Sequence, residues 1–354
     1  MKKLYTAREV DELIRGGGTV DAIPDDALLT PSARDAIKDW ARRNKKAPQA
    51  PAPTGEEPTI PNFEYTWEPG KDASTPEEIA AFFNAPEIVA IKERIVDIGQ
   101  RIWKMTFVDG NGGNITVRVG DNLALCTPTL ISKGFMQVSD ICLVDLDGNQ
   151  LAGERKRTSE ALTHFGIMKR QPKAKACVHA HPPHATAYAV AGVVPPTCMI
   201  PEAEVFLGQI GYAEYRTPGT PENADIVGEA GVEHMSVLME NHGVICWGKD
   251  VEDAYWKMEN TDSYCKTIWI ASQLGRPLKT ISTGQAKELI ELRGMLGMED
   301  KRSDWKECEL CDNADFHPGV MCETPVTKQA PEPADHEMES AVQQITDLIM
   351  ERLK

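Results

Sequence analysis

No apolar run in the 354-residue chain approaches the roughly 20 residues that a membrane-crossing helix requires, so no integral membrane span is expected. Positive charge is also in deficit: 38 Lys and Arg against 54 Asp and Glu leave a net charge of −16 and a pI near 5.0. A surface of that sign repels phosphate backbones and anionic headgroups, which argues against nucleic acid or a membrane as the main partner. Met1-Lys2-Lys3 leads into a polar helix and lacks the apolar stretch of a signal peptide, so a cytoplasmic location is expected. The nine cysteines are odd in number and lack the dense pairing of a disulfide framework; they read as thiols or metal ligands. The glycine run Gly16-Gly17-Gly18 has neither the preceding strand nor the spacing of a phosphate loop, and reads as a helix C-cap and turn.

Hydrophobic residues make up 41% of the chain, enough for a core in one large domain with appendages or in two domains. Residues 1–46 read as a small helical module. Thr6 and Glu9 form a capping box, Tyr5 and Val10 a hydrophobic staple, and Thr30-Pro31 starts a second helix. Residues 47–74 form a linker marked by Pro48, Pro51, Pro53, Pro58 and Pro61. The main domain is expected over 75–300. Thr75-Pro76-Glu77-Glu78 signals one helix start, and Ile88, Ile91, Ile95, Ile98 and Ile102 mark an amphipathic helix by their spacing. Strands are expected at Ile115–Val119, Leu123–Cys126, Ile141–Leu146, the segment ending at His181, Ser236–Glu240 and Val244–Trp247. Helices are expected over about 159–169, 185–191, 251–272 and 284–296. The mixture predicts an α/β domain with a mostly antiparallel sheet covered by helices. A Cys/His segment (301–323), a second linker (324–335) and an amphipathic tail helix (336–354) follow.

The chemistry concentrates in Cys177-Val178-His179-Ala180-His181-Pro182-Pro183-His184. On a strand, residues i and i+2 point the same way, which aims His179 and His181 into one pocket. A catalytic zinc takes three protein ligands and keeps one position open, so a third ligand is required. His242, in Glu240-Asn241-His242-Gly243 at a strand end, is the preferred candidate; His234 competes but reads as solvated. His184 lies off the i, i+2 face and reads as a supporting or substrate-contacting residue.

The motifs H-A-H-P-P-H-A-T, N-H-G-V-I-C and Gly113-Asn114-Ile115-Thr116-Val117-Arg118, in that family's order and spacing, resemble the class II aldolase and adducin-head family over about residues 82–270. The resemblance implies a three-layer α/β/α fold, a homotetramer with active sites between subunits, and Zn2+ or another divalent transition metal held by His179, His181 and His242. It further implies that Asn114, Thr129, Thr158 and Ser159 bind the substrate phosphate and that Glu160 is the catalytic base. The helix start at Arg157-Thr158-Ser159-Glu160 independently offers an anion site. Glu rather than Asp at position 160 favours aldol cleavage over epimerisation.

Two positions depart from the aldolase pattern. Leu130 stands where a glycine is expected, with Lys133 close behind as a charge for a substrate anion. The region matching the aldolase's tyrosine proton donor, Cys198-Met199-Ile200-Pro201-Glu202, holds no tyrosine; Glu202, Glu204 or a C-terminal tyrosine is left as replacement. Cys308, Cys311, His317 and Cys322 look like a structural zinc knuckle with one extra residue, against a free-thiol reading.

The first 40 or so residues resemble a module preceding several bacterial microcompartment enzymes, and the linker plus tail helix resembles an encapsulation peptide; docking on the chain's own tetramer is the alternative for both. The resulting expectation is zinc-dependent cleavage of a phosphorylated ketose, of L-fuculose- or L-rhamnulose-1-phosphate type, to dihydroxyacetone phosphate and lactaldehyde, inside a microcompartment whose shell or cargo is contacted through residues 336–354. The alternatives are an epimerase, decarboxylase or dehydratase on the same scaffold, or a non-catalytic interaction protein.

Overall fold

The computed structural model describes residues 4–15, 20, 23, 24, 27–30, 32–34, 37, 64–306, 310, 311 and 313. It divides into two units, Met1–Pro61 and Asn62–Lys354. In the first, β1 (Leu4–Tyr5) pairs in parallel with β2 (Leu28–Leu29), and α1 (Ala7–Arg15) lies between them in sequence. Thr6 starts α1 as expected: its N–H and hydroxyl both donate to Glu9 Oε2, at 2.9 and 3.0 Å. Thr30 caps the next turn by accepting from the Ala33 N–H. The parallel pair was not foreseen, because two-residue strands are too short to show alternation.

The second unit opens with α2 (Pro76–Phe83), capped by the Thr75/Glu78 box, and α3 (Pro86–Lys104), which buries Ile88, Ile95, Ile98 and Ile102. Eight strands follow, interleaved with five helices: β3 (Asn114–Arg118), β4 (Leu123–Cys126), β5 (Cys142–Asp145), β6 (Gln150–Ala152), α4 (Ala161–Arg170), β7 (Ala176–Ala180), α5 (Pro183–Ala191), β8 (Gly211–Ala213), α6 (Pro221–Glu233), β9 (Ser236–Met239), β10 (Gly243–Gly248), α7 (Val251–Ser272) and α8 (Thr283–Met295). They form one sheet in the order β6-β5-β4-β3-β7-β10-β9-β8. Every neighbouring pair is antiparallel except β8 with β9.

Side chains alternate across this sheet and build a core on each face. Ile115, Val117, Val178, Leu238 and Val244 pack with Ile95 and Ile98 of α3, Ala185 of α5, and Met258 and Ile268 of α7. Cys126, Val144, Cys177, Val237, Ile245 and Trp247 pack on the opposite face with Phe165 and Ile167 of α4 and Val227 of α6. The result is the expected three-layer α/β/α arrangement, with β7 in its interior. The strands β6 and β8 escaped the sequence reading, since three residues on a sheet edge carry little pattern.

The cysteine reading needs correction. Cys198 and Cys311, 113 residues apart, are joined by a disulfide, which removes Cys311 from any four-ligand zinc set. Local spacing pointed to Cys308 because it reports only neighbours, and the true partner comes from another part of the chain. Cys308, His317 and Cys322, most of the 47–74 linker, and the expected tail helix at 336–354 lie outside the described residues. Cys126, Cys142, Cys177, Cys246 and Cys265 are buried free thiols, as expected. No helix among the described residues is long and apolar enough to cross a membrane.

Candidate active site

Register brings the motifs together. His179 sits near the end of β7 and pairs across the sheet with Asn114 of β3 on one side and Ile245 of β10 on the other. His181 follows the strand end, where its backbone N–H donates to the Phe107 carbonyl at 2.7 Å. His242 occupies the β9–β10 turn, in which Asn241 adopts φ +53°, a left-handed conformation that Asn tolerates well. Gly243 is required beside it: a Cβ there would lie 2.6 Å from the Ala180 carbonyl oxygen and 2.7 Å from His181 Cδ2.

The three imidazoles converge with ring centroids 4.7–5.2 Å apart, and one ring nitrogen from each lies within 4.8 Å of the others. His179 Nδ1 lies 2.8 Å from the Val244 carbonyl oxygen, an acceptor, so Nδ1 carries the proton and Nε2 presents a lone pair. Burial, then the neighbouring His242 and His181, hold His179 well below the usual histidine range and so keep it neutral. Burial lowers His242 too, against the opposing pull of Glu160. His181 Nδ1 is 3.0 Å from Asp109 Oδ1, and its Nε2 is buried with no hydrogen-bond partner among the described residues.

Glu160, at the N-cap of α4, completes the group. Its carboxylate oxygens lie 3.3 Å from His179 Nε2 and 3.4 Å from His242 Nε2. Asn114 Nδ2 donates to Glu160 Oε2 at 2.8 Å. Lone pairs of a neutral imidazole and a carboxylate facing one another at such distances repel unless a cation lies between them. That feature, the unpartnered His181 Nε2 and an all-imidazole donor set together fit a divalent transition metal.

A cleft of about 200 Å³ opens beside the histidines, lined among others by Asn114, Thr129, Leu130, Lys133, Thr158 and Ser159. Thr129 and Thr158 reach it because residues 127–129 run antiparallel to 156–158: Thr129 N donates to the Lys156 carbonyl, Thr158 N to that of Thr127, each at 3.0 Å. Four residues expected to hold phosphate therefore line one cavity. Asn114 differs in one respect, since its amide nitrogen is engaged by Glu160 and its Oδ1 is buried without a partner. Leu130 takes φ +58° and is 78% exposed, a left-handed conformation that a glycine adopts freely and that costs a leucine about 1–2 kcal/mol of strain.

Other candidates are placed elsewhere. His184 is anchored to α7: its Nδ1 lies 3.0 Å from Asp262 Oδ2, while the backbone N–H groups of His184 and Ala185 donate to Asp262 Oδ1. It does not line the cleft. His234 is not solvated but half-buried, bonded through Nδ1 to the Gln209 carbonyl, and burial lowers its pKa. Glu204 is excluded as a free general acid, because it is buried against Arg302 at 2.6 Å and also accepts from the Cys198 N–H. Glu202 is exposed. The sequence reading missed Asp109 altogether; in Asp109-Gly110-Asn111-Gly112-Gly113 it looks like a turn residue, and only the fold brings it to His181. A second open cavity of about 250 Å³, among Gln171, Lys173, Trp247 and Lys301, has charges of both signs and no convergent donor set.

Known proteins are similar to this chain in sequence and in fold. L-fuculose phosphate aldolase of Methanococcus maripaludis is 35% identical over 179 residues, covering 51% of this chain and 96% of its own. 3-oxo-tetronate 4-phosphate decarboxylase of Haemophilus influenzae is 30% identical over 210 residues, 58% of this chain and 98% of its own. Among solved structures, an L-fuculose 1-phosphate aldolase superposes with a TM-score of 0.53 at 26% identity, over 57% of this chain and 95% of the other. The sequence pattern of the Class II Aldolase and Adducin N-terminal domain family spans residues 93–269, from α3 through both histidine motifs into α7. Half of the sequence thus matches that pattern and folds into the sheet that supports the histidine cluster, and the chain belongs to the class II aldolase and adducin N-terminal domain family.

Proposed function

We propose that the chain is a zinc-dependent lyase that cleaves a phosphorylated ketose, of L-fuculose- or L-rhamnulose-1-phosphate type, into dihydroxyacetone phosphate and lactaldehyde. The observation that carries this reading is the seating of Glu160 against His179 and His242, beside a cleft lined by hydroxyls and a helix start. His179, His181 and His242 would hold the metal, which when bound supplies Lewis-acid polarisation of the ketose oxygens. Asn114 orients the Glu160 carboxylate. In cleavage the C4 hydroxyl gives up its proton to a base or solvent as C4 becomes the aldehyde carbon, the C3–C4 bond breaks with its electron pair passing toward the ketone carbonyl, and Glu160 delivers a proton to C3. In condensation Glu160 removes that proton from C3 and the aldehyde oxygen takes one up. Thr129, Thr158 and Ser159, with the free N–H groups at the start of α4, hold the phosphate away from the reacting carbons.

Decarboxylation is the second reading, supported by the 30% identical 3-oxo-tetronate 4-phosphate decarboxylase. Aldol cleavage and β-keto acid decarboxylation both leave an electron pair on the carbon next to a carbonyl, so one metal and one proton carrier serve either. An interaction module without chemistry is disfavoured, since the cluster keeps its donors aligned on Glu160. The working form is a homotetramer, and residues 336–354 act as an encapsulation segment that takes the enzyme into a microcompartment, where a shell would confine the aldehyde.

The test uses a panel of ketose 1-phosphates assayed for aldehyde release and 3-oxo-tetronate 4-phosphate assayed for carbon dioxide. Substitution His181→Ala is expected to remove bound zinc and all turnover. Retained cleavage in a zinc-free variant would sink the mechanism, and carbon dioxide release without aldehyde release would replace aldol cleavage with decarboxylation.

A further inference from the structure

Lys133 is 1% exposed, yet no carboxylate among the described residues comes within ion-pair distance of it. Its ammonium donates to two backbone carbonyls, Ile131 at 2.7 Å and Asn111 at 3.2 Å. An ammonium has three N–H donors, and the described residues supply no acceptor for the third. Placing such a charge indoors is costly unless it is paired, so an unpaired buried lysine signals either a proton lost or a partner that arrives from outside.

The surroundings show a fixed position. Lys133 begins a 3-10 turn, Lys133–Phe135, seated on α3. Gly99 admits that turn, because a Cβ at this position would lie 2.9 Å from the Lys133 carbonyl oxygen. Gly134 lies against the Trp103 ring, where a Cβ would come within 2.5 Å of Cγ. The backbone of Lys133 is therefore fixed on α3, and its two carbonyl hydrogen bonds hold the ammonium inside.

Lys133 is also the only cationic side chain among the residues lining the histidine cleft, which otherwise offers hydroxyls, amides, backbone, the imidazoles and Glu160. The groups expected to bind phosphate, Asn114, Thr129, Thr158 and Ser159, are all neutral. A metal held by the histidines would offset Glu160 at the ketose end of the cleft, and a phosphate dianion at the hydroxyl-lined end gains further from a cation of its own besides hydrogen bonds. Burial lowers the lysine pKa to about 8 and Glu160 opposes that shift, so the amine is largely protonated at neutral pH.

We infer that Lys133 is a substrate-binding residue of this cleft, its free N–H and charge anchoring the anionic phosphoryl group of the substrate. This assignment deepens the sugar-phosphate reading above and rests on it for the identity of the natural ligand. It predicts selectivity for phosphorylated over unphosphorylated ketoses, set by a single buried cation.

The experiment measures inorganic phosphate binding by calorimetry to the full-length zinc-loaded protein at pH 7. Lys133→Met is compared with the wild type, with zinc content and the thermal midpoint recorded for each. Loss of one charge-assisted hydrogen bond is expected to weaken phosphate about ten- to a hundredfold while zinc content stays unchanged. Lys133→Gln, whose amide can still reach a carbonyl, gives the same readout if the Met variant does not fold. Phosphate affinity within twofold of wild type in a folded variant overturns the assignment, as does a wild type that binds no phosphate. Because this readout needs no turnover, a wild type that releases no aldehyde yet binds phosphate through Lys133 would refute the aldolase reaction while leaving the anion site standing.

Discussion

Glu160 and His179 meet with acceptor atoms 3.3 Å apart, and the buried His164 lies one helical turn beyond Glu160 on α4. His164 Nδ1 is 2.9 Å from Thr116 Oγ1, its Nε2 has no partner, and burial pushes its pKa down to about 3 from the usual 6.5. The unfolded chain therefore takes up a proton between pH 6.5 and 3 that the folded chain refuses. The sign follows: stability from keeping this histidine neutral is fully present above pH 6.5 and is lost as pH falls toward 3, by up to about 1.4 kcal/mol per pH unit. Urea unfolding of metal-free protein at pH 7, 5.5 and 4 should show a falling midpoint, with a shallower fall in His164→Gln. Equal slopes in the two proteins would refute the assignment. At this scale the sequence was most informative where chemistry and spacing coincide, as in His179-Ala180-His181. It was silent on Asp109 and Asp262, whose partners His181 and His184 lie 72 and 78 residues away.

At the scale of elements, the site is a product of register. β7 lies between β3 and β10, so that Asn114 sits opposite His179, and the β9–β10 turn delivers His242 beside them. Gly243 is the narrowest point of this arrangement, with the Ala180 carbonyl and the His181 ring both inside the radius of an added methyl. Gly243→Ala should destabilise the fold by about 1–3 kcal/mol and abolish stoichiometric zinc binding, because the strand and the histidine cannot both keep their places. Wild-type zinc content together with an unchanged thermal midpoint would contradict this account. Helix existence was legible from caps and apolar spacing, most clearly in α7, whose limits Val251–Ser272 coincide with the sequence reading. The edge strands β6 and β8 were not, because their three-residue lengths are set by neighbouring strands rather than by their own composition.

For the whole molecule, the family match ends at residue 269, and the appended segments account for much of the rest. The 336–354 segment carries Met338, Ala341, Val342, Ile345, Leu348, Ile349 and Leu353 at helical spacing. Removing residues 336–354 should leave metal content and turnover unchanged and abolish entry into shells, as read by co-purification with shell proteins. Unimpaired entry would assign the segment to docking on the enzyme itself. The α/β class, the helices between residues 76 and 295 and the pairing of His179 with His181 on one strand face were legible in the sequence, because periodicity, capping chemistry and i, i+2 spacing are local properties, whereas Glu160 entered as a site candidate through the family resemblance. Tertiary structure alone decided the Cys198–Cys311 disulfide, the diversion of Glu204 to Arg302, the hold of Asp109 on His181 and the burial of Lys133 without a counter-charge. Each of those depends on which distant segment packs alongside and on how much water it excludes, and neither quantity is written in the spacing of neighbouring residues.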